Sequence, residues 1–310
     1  MKITASMVKE LREMTGAGMM DCKKALNAVD GDMDKAVEFL RENGMAKAAK
    51  KAGRIAAEGI CMIAGDDKKA AVVEVNSETD FVAKNEKFRN YVKTVAEQAL
   101  NTKAADIESF LAEKSEAEPD KTVEEALKGQ IAVIGENLKI RRFAQVEEPD
   151  GFVAGYTHMD GKICVLVDVQ TDVINDEIRE MGKNVAMQAA ALRPVYTSDK
   201  EVDPAYIAQE TEVLTAAAKN EKPNAPEKVI TGIVKGRLNK ELKEICLLDQ
   251  IYVKAEDGKQ SVKQYVDSVA KANGAHITIK KFVRFETGEG LEKKNEDFAA
   301  EVAAQAQAAK

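Results

Sequence analysis

Apolar positions recur in two rhythms along this chain, and the switch between them divides it. Up to residue 43 the spacing is helical: Met7, Val8, Leu11 and Met14 form one stripe, Cys22, Ala25, Leu26 and Val29 a second, and Met33, Ala36, Val37 and Leu40 a third. Thr15-Gly16-Ala17-Gly18 and Asp30-Gly31 punctuate these stripes, and Asn43-Gly44 is expected to end the third helix. Residues 45–57 are Ala-rich with Lys47, Lys50, Lys51 and Arg54 interspersed, the pattern of a solvated helical linker. From Gly59 onward short apolar runs replace the helical stripes and predict strands.

The strand-bearing region runs through its order of elements twice. The first pass has a hairpin (Gly59–Ala64, Ala70–Asn76), a corner at Asp80, helices to about Leu127 and a strand from Leu138 to Val146. The second has a hairpin (Val153–His158, Lys162–Val169), a corner at Thr171-Asp172, helices at 175–192 and 262–272, and a strand from His276 to Glu286. Local residues echo this order: Val75-Asn76-Ser77-Glu78-Thr79-Asp80-Phe81 faces Val169-Gln170-Thr171-Asp172-Val173 with a two-residue gap, so that Asp172 stands for Asp80, and Ile140-Arg141-Arg142-Phe143 faces Ile279-Lys280-Lys281-Phe282. An insertion interrupts the second pass. Its two helical stripes (Tyr206, Ile207, Val213, Leu214, Ala217; then Val229, Ile230, Ile233, Val234, Leu238, Leu242) flank Pro223 and Pro226, which no helix interior tolerates, so an antiparallel helical hairpin is expected. The last residues, Asn295–Lys310, form an Ala-rich helix with Phe298 and Val302 as its large apolar groups.

These patterns predict an α+β chain. Its parts are an N-terminal three-helix module and linker at 1–54, whose fold resembles the ubiquitin-associated domain, and a two-part core of antiparallel sheets with packed helices. The core comprises 55–148 and then 149–197 with 241–288, the helical hairpin occupies 198–240, and a C-terminal module with a helix fills 289–310.

The corner at 75–85 is where side chains are displayed. Ser77 with Asp80 three residues on fits a capping box, which puts Phe81 in a first helical turn. Phe81 is in phase with Phe88, Val92, Val95 and Ala99, which predicts burial. Against burial, Lys84 and Asn85 interrupt the stripe, and Asn76 stands where a hydrophobic staple needs an apolar residue; on this second reading Phe81 is an exposed wedge beside a carboxylate. Met19 and Met20 sit side by side after a glycine loop, where at least one should face solvent, and Met is frequent on protein-binding surfaces.

Charge and candidate chemistry narrow the function. The net charge is −7; residues 1–54 carry 11 Lys and Arg against 8 Asp and Glu, or +3, leaving −10 for the rest. That balance, with no Trp, argues against a nucleic-acid surface and toward a protein partner. The four cysteines are far apart and read as reduced core thiols, and the two histidines, His158 and His276, lack metal-ligand spacing, so neither a disulfide nor a metal site is expected. No phosphate loop, nucleophile elbow or zincin motif occurs, which leaves no case for an enzyme or for a bound cofactor. No apolar run approaches membrane-spanning length, and the expected location is the cytoplasm.

Two stretches carry a resemblance: Thr15-Gly16-Ala17-Gly18-Met19-Met20-Asp21-Cys22-Lys23-Lys24-Ala25-Leu26 and Asn76-Ser77-Glu78-Thr79-Asp80-Phe81-Val82-Ala83. With Ile134-Gly135-Glu136-Asn137, Ile140-Arg141-Arg142, Tyr156-Thr157-His158 and the run from Arg284 to Lys293, the chain resembles the bacterial translation elongation factor Ts family over its whole length. The resemblance implies a non-catalytic nucleotide exchange factor that binds elongation factor Tu, both GDP-bound and nucleotide-free. It implies that Thr79, Asp80, Phe81 and Val82 insert near the partner's magnesium and phosphates, and that Met19, Met20, Ile134, Gly135 and His158 add contacts. It links the helical hairpin to dimerisation, leaving room for a homodimer through the hairpin or the core. Two rivals compete with it: an adaptor working through residues 1–54 alone, and an enzyme with an unfamiliar site in a cleft between the repeated units.

Overall fold

The computed structural model describes residues 3–293. The helix expected over Asn295–Lys310 lies outside them. The fold is α+β, with N-terminal helices, two three-stranded antiparallel sheets and helices packed on them.

Three helices open the chain: α1 (Ala5–Thr15), α2 (Met19–Ala28) and α3 (Met33–Lys51). The hydroxyl of Thr4 caps α1 by accepting from the Met7 N–H, and Gly16, at φ 67°, ends it with the left-handed turn that glycine adopts without strain. Asp32 caps α3 through the Lys35 N–H at 3.0 Å. Val8, Leu11, Cys22, Ala25, Leu26 and Ala36 bury their side chains between the three.

The third helix does not stop at Asn43-Gly44. It runs on to Lys51 because its far half has a partner: a Cβ at Gly44 would lie 3.2 Å from the Ala132 Cβ, so the missing side chain lets α3 press against a later helix. Arg41 reaches the same helix and pairs with Glu125 at 2.9 Å. Residues 45–51 therefore continue α3, helical as expected and exposed at 45–47, 49 and 50, with Ala48 buried on the packed side.

Next come β1 (Glu58–Gly65), β2 (Lys69–Ser77), α4 (Asp80–Ala83), α5 (Glu86–Asn101), α6 (Ile107–Ala112), α7 (Val123–Ile134) and β3 (Lys139–Glu147). The strands form a sheet in the order β1-β2-β3. On α5, Phe88, Val92, Val95, Ala96 and Ala99 are buried. A capping box between Thr122 and Glu125 starts α7, and Gly135, at φ 88°, ends it.

The second series is β4 (Gly151–His158), β5 (Ile163–Thr171), α8 (Asp176–Leu192), α9 (Pro204–Glu221), α10 (Glu227–Ile245), α11 (Val262–Ala272) and β6 (Ile277–Glu286). Its sheet has the order β4-β5-β6, with β4 antiparallel to β5 in a register that sets Val153 opposite Asp168. Ile178, Met181, Val185 and Ala189 of α8 pack with Phe152, Val165, Val167 and the α11 residues Val262 and Val266. The helix and sheet approach so closely that a Cβ at Gly182 would come within 2.8 Å of the Phe152 ring. Helices α9 and α10 form the inserted hairpin, closed by Ala218, Ile230 and Val234 and by a two-bond pair between Arg237 and Glu221.

The described residues fall into two compact units, one drawn from 3–62, 73–143 and 286–293, the other from 63–72 and 144–285. All four cysteines are buried, and none forms a disulfide. No helix among the described residues is long and apolar enough to cross a membrane.

Candidate functional site

The chain leaves β2 at Ser77 and does not enter one long helix. Ser77 is buried, and its hydroxyl donates to the Thr79 carbonyl at 3.0 Å, closing a tight turn rather than capping a helix. The cap is Thr79, whose Oγ1 accepts from the Val82 N–H at 3.3 Å. Helix α4 that follows has four residues, Asp80 to Ala83, and places Phe81 in its first turn. Asn85 then starts α5 afresh, its Oδ1 accepting from the Lys87 and Phe88 N–H groups at 2.9 and 3.4 Å.

That second cap decides between the two readings of Phe81. Phase is carried along a helix only while the helix is continuous, and the break at Lys84-Asn85 rotates α4 out of the stripe formed by Phe88, Val92, Val95 and Ala99. The expectation of burial is therefore wrong: Phe88 is fully buried, whereas Phe81 is 82% exposed. Beside it, Asp80 pairs with Lys84 at 2.6 Å, one helical turn on, and that hydrogen bond raises the Lys84 pKa.

The turn after α7 meets this corner. The carboxylate of Glu136 accepts from the Glu78 and Thr79 N–H groups, both at 3.1 Å, and from the Thr79 hydroxyl at 2.7 Å. In return the Asn137 N–H donates to the Glu78 carboxylate at 2.6 Å, which also lies 3.5 Å from Arg54. Lys51 Nζ donates to the Gly135 carbonyl, and Asn137 Nδ2 to the Arg54 carbonyl at 2.8 Å, tying the same turn to the end of α3. Ile134 is half-buried and Gly135 exposed, so this turn presents them next to the element that carries Phe81.

The remaining residues singled out in the sequence stand elsewhere. Met19 and Met20 occupy the first turn of α2 after Gly18, 57% and 74% exposed. His158 ends β4 at an exposed hairpin tip, with its Nδ1 2.9 Å from the Tyr156 hydroxyl. Thus the structure joins 79–82 with 134–135, and keeps Met19 and Met20 on the three-helix module and His158 in the other unit. Sequence reasoning gave no role to Glu136 or Glu78 and took Asn85 only as a break in the stripe. A sequence signal existed for each of the first two, an acid directly after a helix-ending glycine and an acid directly after a strand, but only the fold shows that they face each other. Among the described residues no cluster of three or more His, Cys, Asp or Glu side chains is arranged to hold a metal ion.

Residues 78–289 match the family described as Elongation factor TS. The chain is 55% identical over 305 residues to Elongation factor Ts of Clostridioides difficile (strain 630), covering 98% of both chains. It is 49% identical over 302 residues to Elongation factor Ts of Clostridium novyi (strain NT), covering 97% of both. Against that of Clostridium tetani (strain Massachusetts / E88) it is 49% identical over 307 residues, covering 98% of this chain and 100% of that one. The chain belongs to the elongation factor Ts family.

Proposed function

We propose that this member of the family is a guanine nucleotide exchange factor in translation elongation, which binds elongation factor Tu and promotes GDP release by displacing the partner's magnesium and loosening its phosphate site. The observation that carries the reading is Phe81, held out in water on a four-residue helix within the span that matches the family. An exposed aromatic ring contributes nothing to the stability of its own fold; buried in a partner it contributes about 1.5–3 kcal/mol. Asp80 brings a carboxylate beside that ring, and Thr79 and Val82 frame the pair. Met19, Met20, Ile134, Gly135 and His158 supply further contacts with the partner.

An exchange factor makes and breaks no covalent bond. It works by binding the nucleotide-free partner more tightly than the GDP-bound one, and by linkage GDP weakens its binding as much as it weakens that of GDP. Moving the partner from almost wholly bound to almost wholly free takes about 5.5 kcal/mol of differential affinity. Burial of one Phe falls short of that, so the rest must come from the partner's phosphates losing the charge neutralisation of their cation.

The test is release of a fluorescent GDP from elongation factor Tu with and without the full chain. Acceleration is expected, and its absence overturns the proposal. Phe81→Ala should slow stimulated release by roughly ten- to a hundredfold, the kinetic equivalent of the lost burial, with the fold intact. Chelating magnesium should shrink that deficit; an undiminished deficit rejects ion displacement as the route.

A further inference from the structure

We propose that Glu136 is a positioning residue for exchange, which holds the Thr79–Val82 turn, and with it Phe81, in the orientation that meets the partner. This rests on the exchange reading above and adds to it a residue that itself need touch neither partner nor nucleotide.

A helix of four residues has no stability of its own, because nucleation costs more than one turn of hydrogen bonds returns. Something outside α4 must therefore hold it, and the Glu136 carboxylate is placed to do so. It takes three donors at once: the two N–H groups of Glu78 and Thr79, which lie between the strand and the helix, and the Thr79 hydroxyl. The last bond is the one that reaches Phe81. A hydroxyl has a single proton; directing it at Glu136 leaves the oxygen lone pairs free to accept from the Val82 N–H, which is the cap of α4. The carboxylate thus sets the polarity of the cap, and Phe81 lies between the cap and the residue it caps. Bonds to an ionised acceptor are stronger than neutral ones, and the return bond from the Asn137 N–H to Glu78 closes a two-way clasp. Because Glu136 follows Ile134 and Gly135 directly, the clasp also fixes those two proposed contacts relative to the wedge.

A role confined to stability would lower activity whether or not the ring is present, whereas a positioning role acts only through the ring. The experiment is a double-mutant cycle in the full chain, reading maximal stimulated GDP release. Glu136→Ala should lower the rate about tenfold in the wild-type background and less than twofold when combined with Phe81→Ala. Thr79→Val, which deletes the hydroxyl at nearly constant shape, should match Glu136→Ala, and the two combined should cost no more than either alone. A tenfold loss repeated in the Phe81→Ala background, or a wild-type rate in Thr79→Val, overturns the proposal. If Glu136→Ala does not fold, Thr79→Val, alone and combined with Phe81→Ala, decides in the same way. Amide hydrogen exchange at Thr79 and Val82, measured without the partner, should be slow in the native chain and faster in Glu136→Ala; unchanged exchange overturns the clasp. A native chain that fails to release GDP sinks the exchange reading while this partner-free readout still reports on the clasp.

Discussion

The two strand-to-helix corners of the core share three kinds of hydrogen bond and differ by one turn that only the first contains. At the first, the Ser77 hydroxyl donates to the carbonyl two residues on at 3.0 Å; at the second, Thr171 does the same to Val173 at 2.9 Å. Glu78 accepts from the Asn137 N–H at 2.6 Å, and Asp172 from the His276 N–H at 2.8 Å. Asn85 and Asn175 then cap α5 and α8. These bonds correct the register read from the sequence: Asp172 is the counterpart of Glu78, not of Asp80, and it caps no helix. Between matched acid and matched cap the second corner has only Val173 and Ile174, where the first has residues 79–84. The turn that carries Phe81 is thus extra to the first corner, and the ring can be exposed there without unsettling either helix.

The same register pairs two buried acids, and their different surroundings make the sharpest test of the comparison. Glu74, one residue before Val75, lies fully buried on β2, and Asp168, one before Val169, is its counterpart on β5. Burial raises the Glu74 pKa, but the Gly288 N–H, the Asn76 amide, and Arg142 and Arg141 outweigh it and hold the group below the usual carboxylate range. Its oxygens lie 2.6 Å from Arg142 Nε, 3.0 Å from Arg141 and 2.8 Å from the Gly288 N–H. Glu74→Gln would take this carboxylate from Arg141 and leave Arg142 the Glu289 carboxylate at 3.3 Å, and removing one partner of a buried pair costs about 3–5 kcal/mol. Urea denaturation at pH 7 should show a loss of this size, the largest expected of any single change considered; a loss below about 1 kcal/mol would mean that solvent and Glu289, not Glu74, neutralise the arginines.

How much of this was legible in the sequence follows from which signals are local. The hairpins, the proline-punctuated insertion and the exposed methionines depend on neighbours in the chain, and the structure contains them. Phase alone predicts a buried Phe81 because the spacing to Phe88 and Val92 looks the same whether the helix is continuous or broken at Asn85. The only local hint was the polar pair Lys84-Asn85, which is a cap in three dimensions. The extension of α3 past Gly44 depends on Ala132, and the service of Glu136 to Thr79 joins residues 57 apart in sequence. Contacts of that range leave no periodicity.

Asp168 offers the next largest effect, with the opposite sign. In place of two arginines it meets another buried acid, Glu148, with Lys280 and Lys281 nearby; Lys280 pairs with Glu148 at 2.9 Å. Burial, then the hydrogen bond and repulsion from Glu148, push Asp168 up to about 6. For Glu148 burial acts upward but Lys280, Asp168 and the Asp150 N–H outweigh it, so the proton of the pair resides on Asp168. Since the folded pKa of Asp168 exceeds the unfolded value of roughly 3.9, its contribution is fully present below about pH 4 and is lost as pH rises through about 6. An amide at this position can donate to Glu148 at every pH. Asp168→Asn should therefore be more stable than the native chain by about 1–3 kcal/mol above pH 7, and the difference should vanish near pH 4, as read from urea midpoints across that range. Destabilisation at pH 8 would mean that the two lysines hold Asp168 ionised as the arginines hold Glu74, and the contrast between the copies would disappear.

The smallest effect is expected at the second corner itself. Asp172 has a one-way grip: its Oδ1 accepts from the His276 N–H and its Oδ2 lies 2.8 Å from His276 Nδ1, with both side chains exposed. Those two bonds, the side-chain one first, lower the Asp172 pKa, so its contribution is present above its ordinary titration range and is lost as pH falls below it. Exposed pairs of this kind stabilise little, and Asp172→Ala should move the thermal midpoint at pH 7 by no more than about 2 °C. Stimulated GDP release should be unchanged, because no extra turn and no aromatic ring depend on this acid. A loss of release like that expected for Glu136→Ala would show that the second corner also engages the partner, and that the extra turn at 79–84 is not what separates the two corners in function.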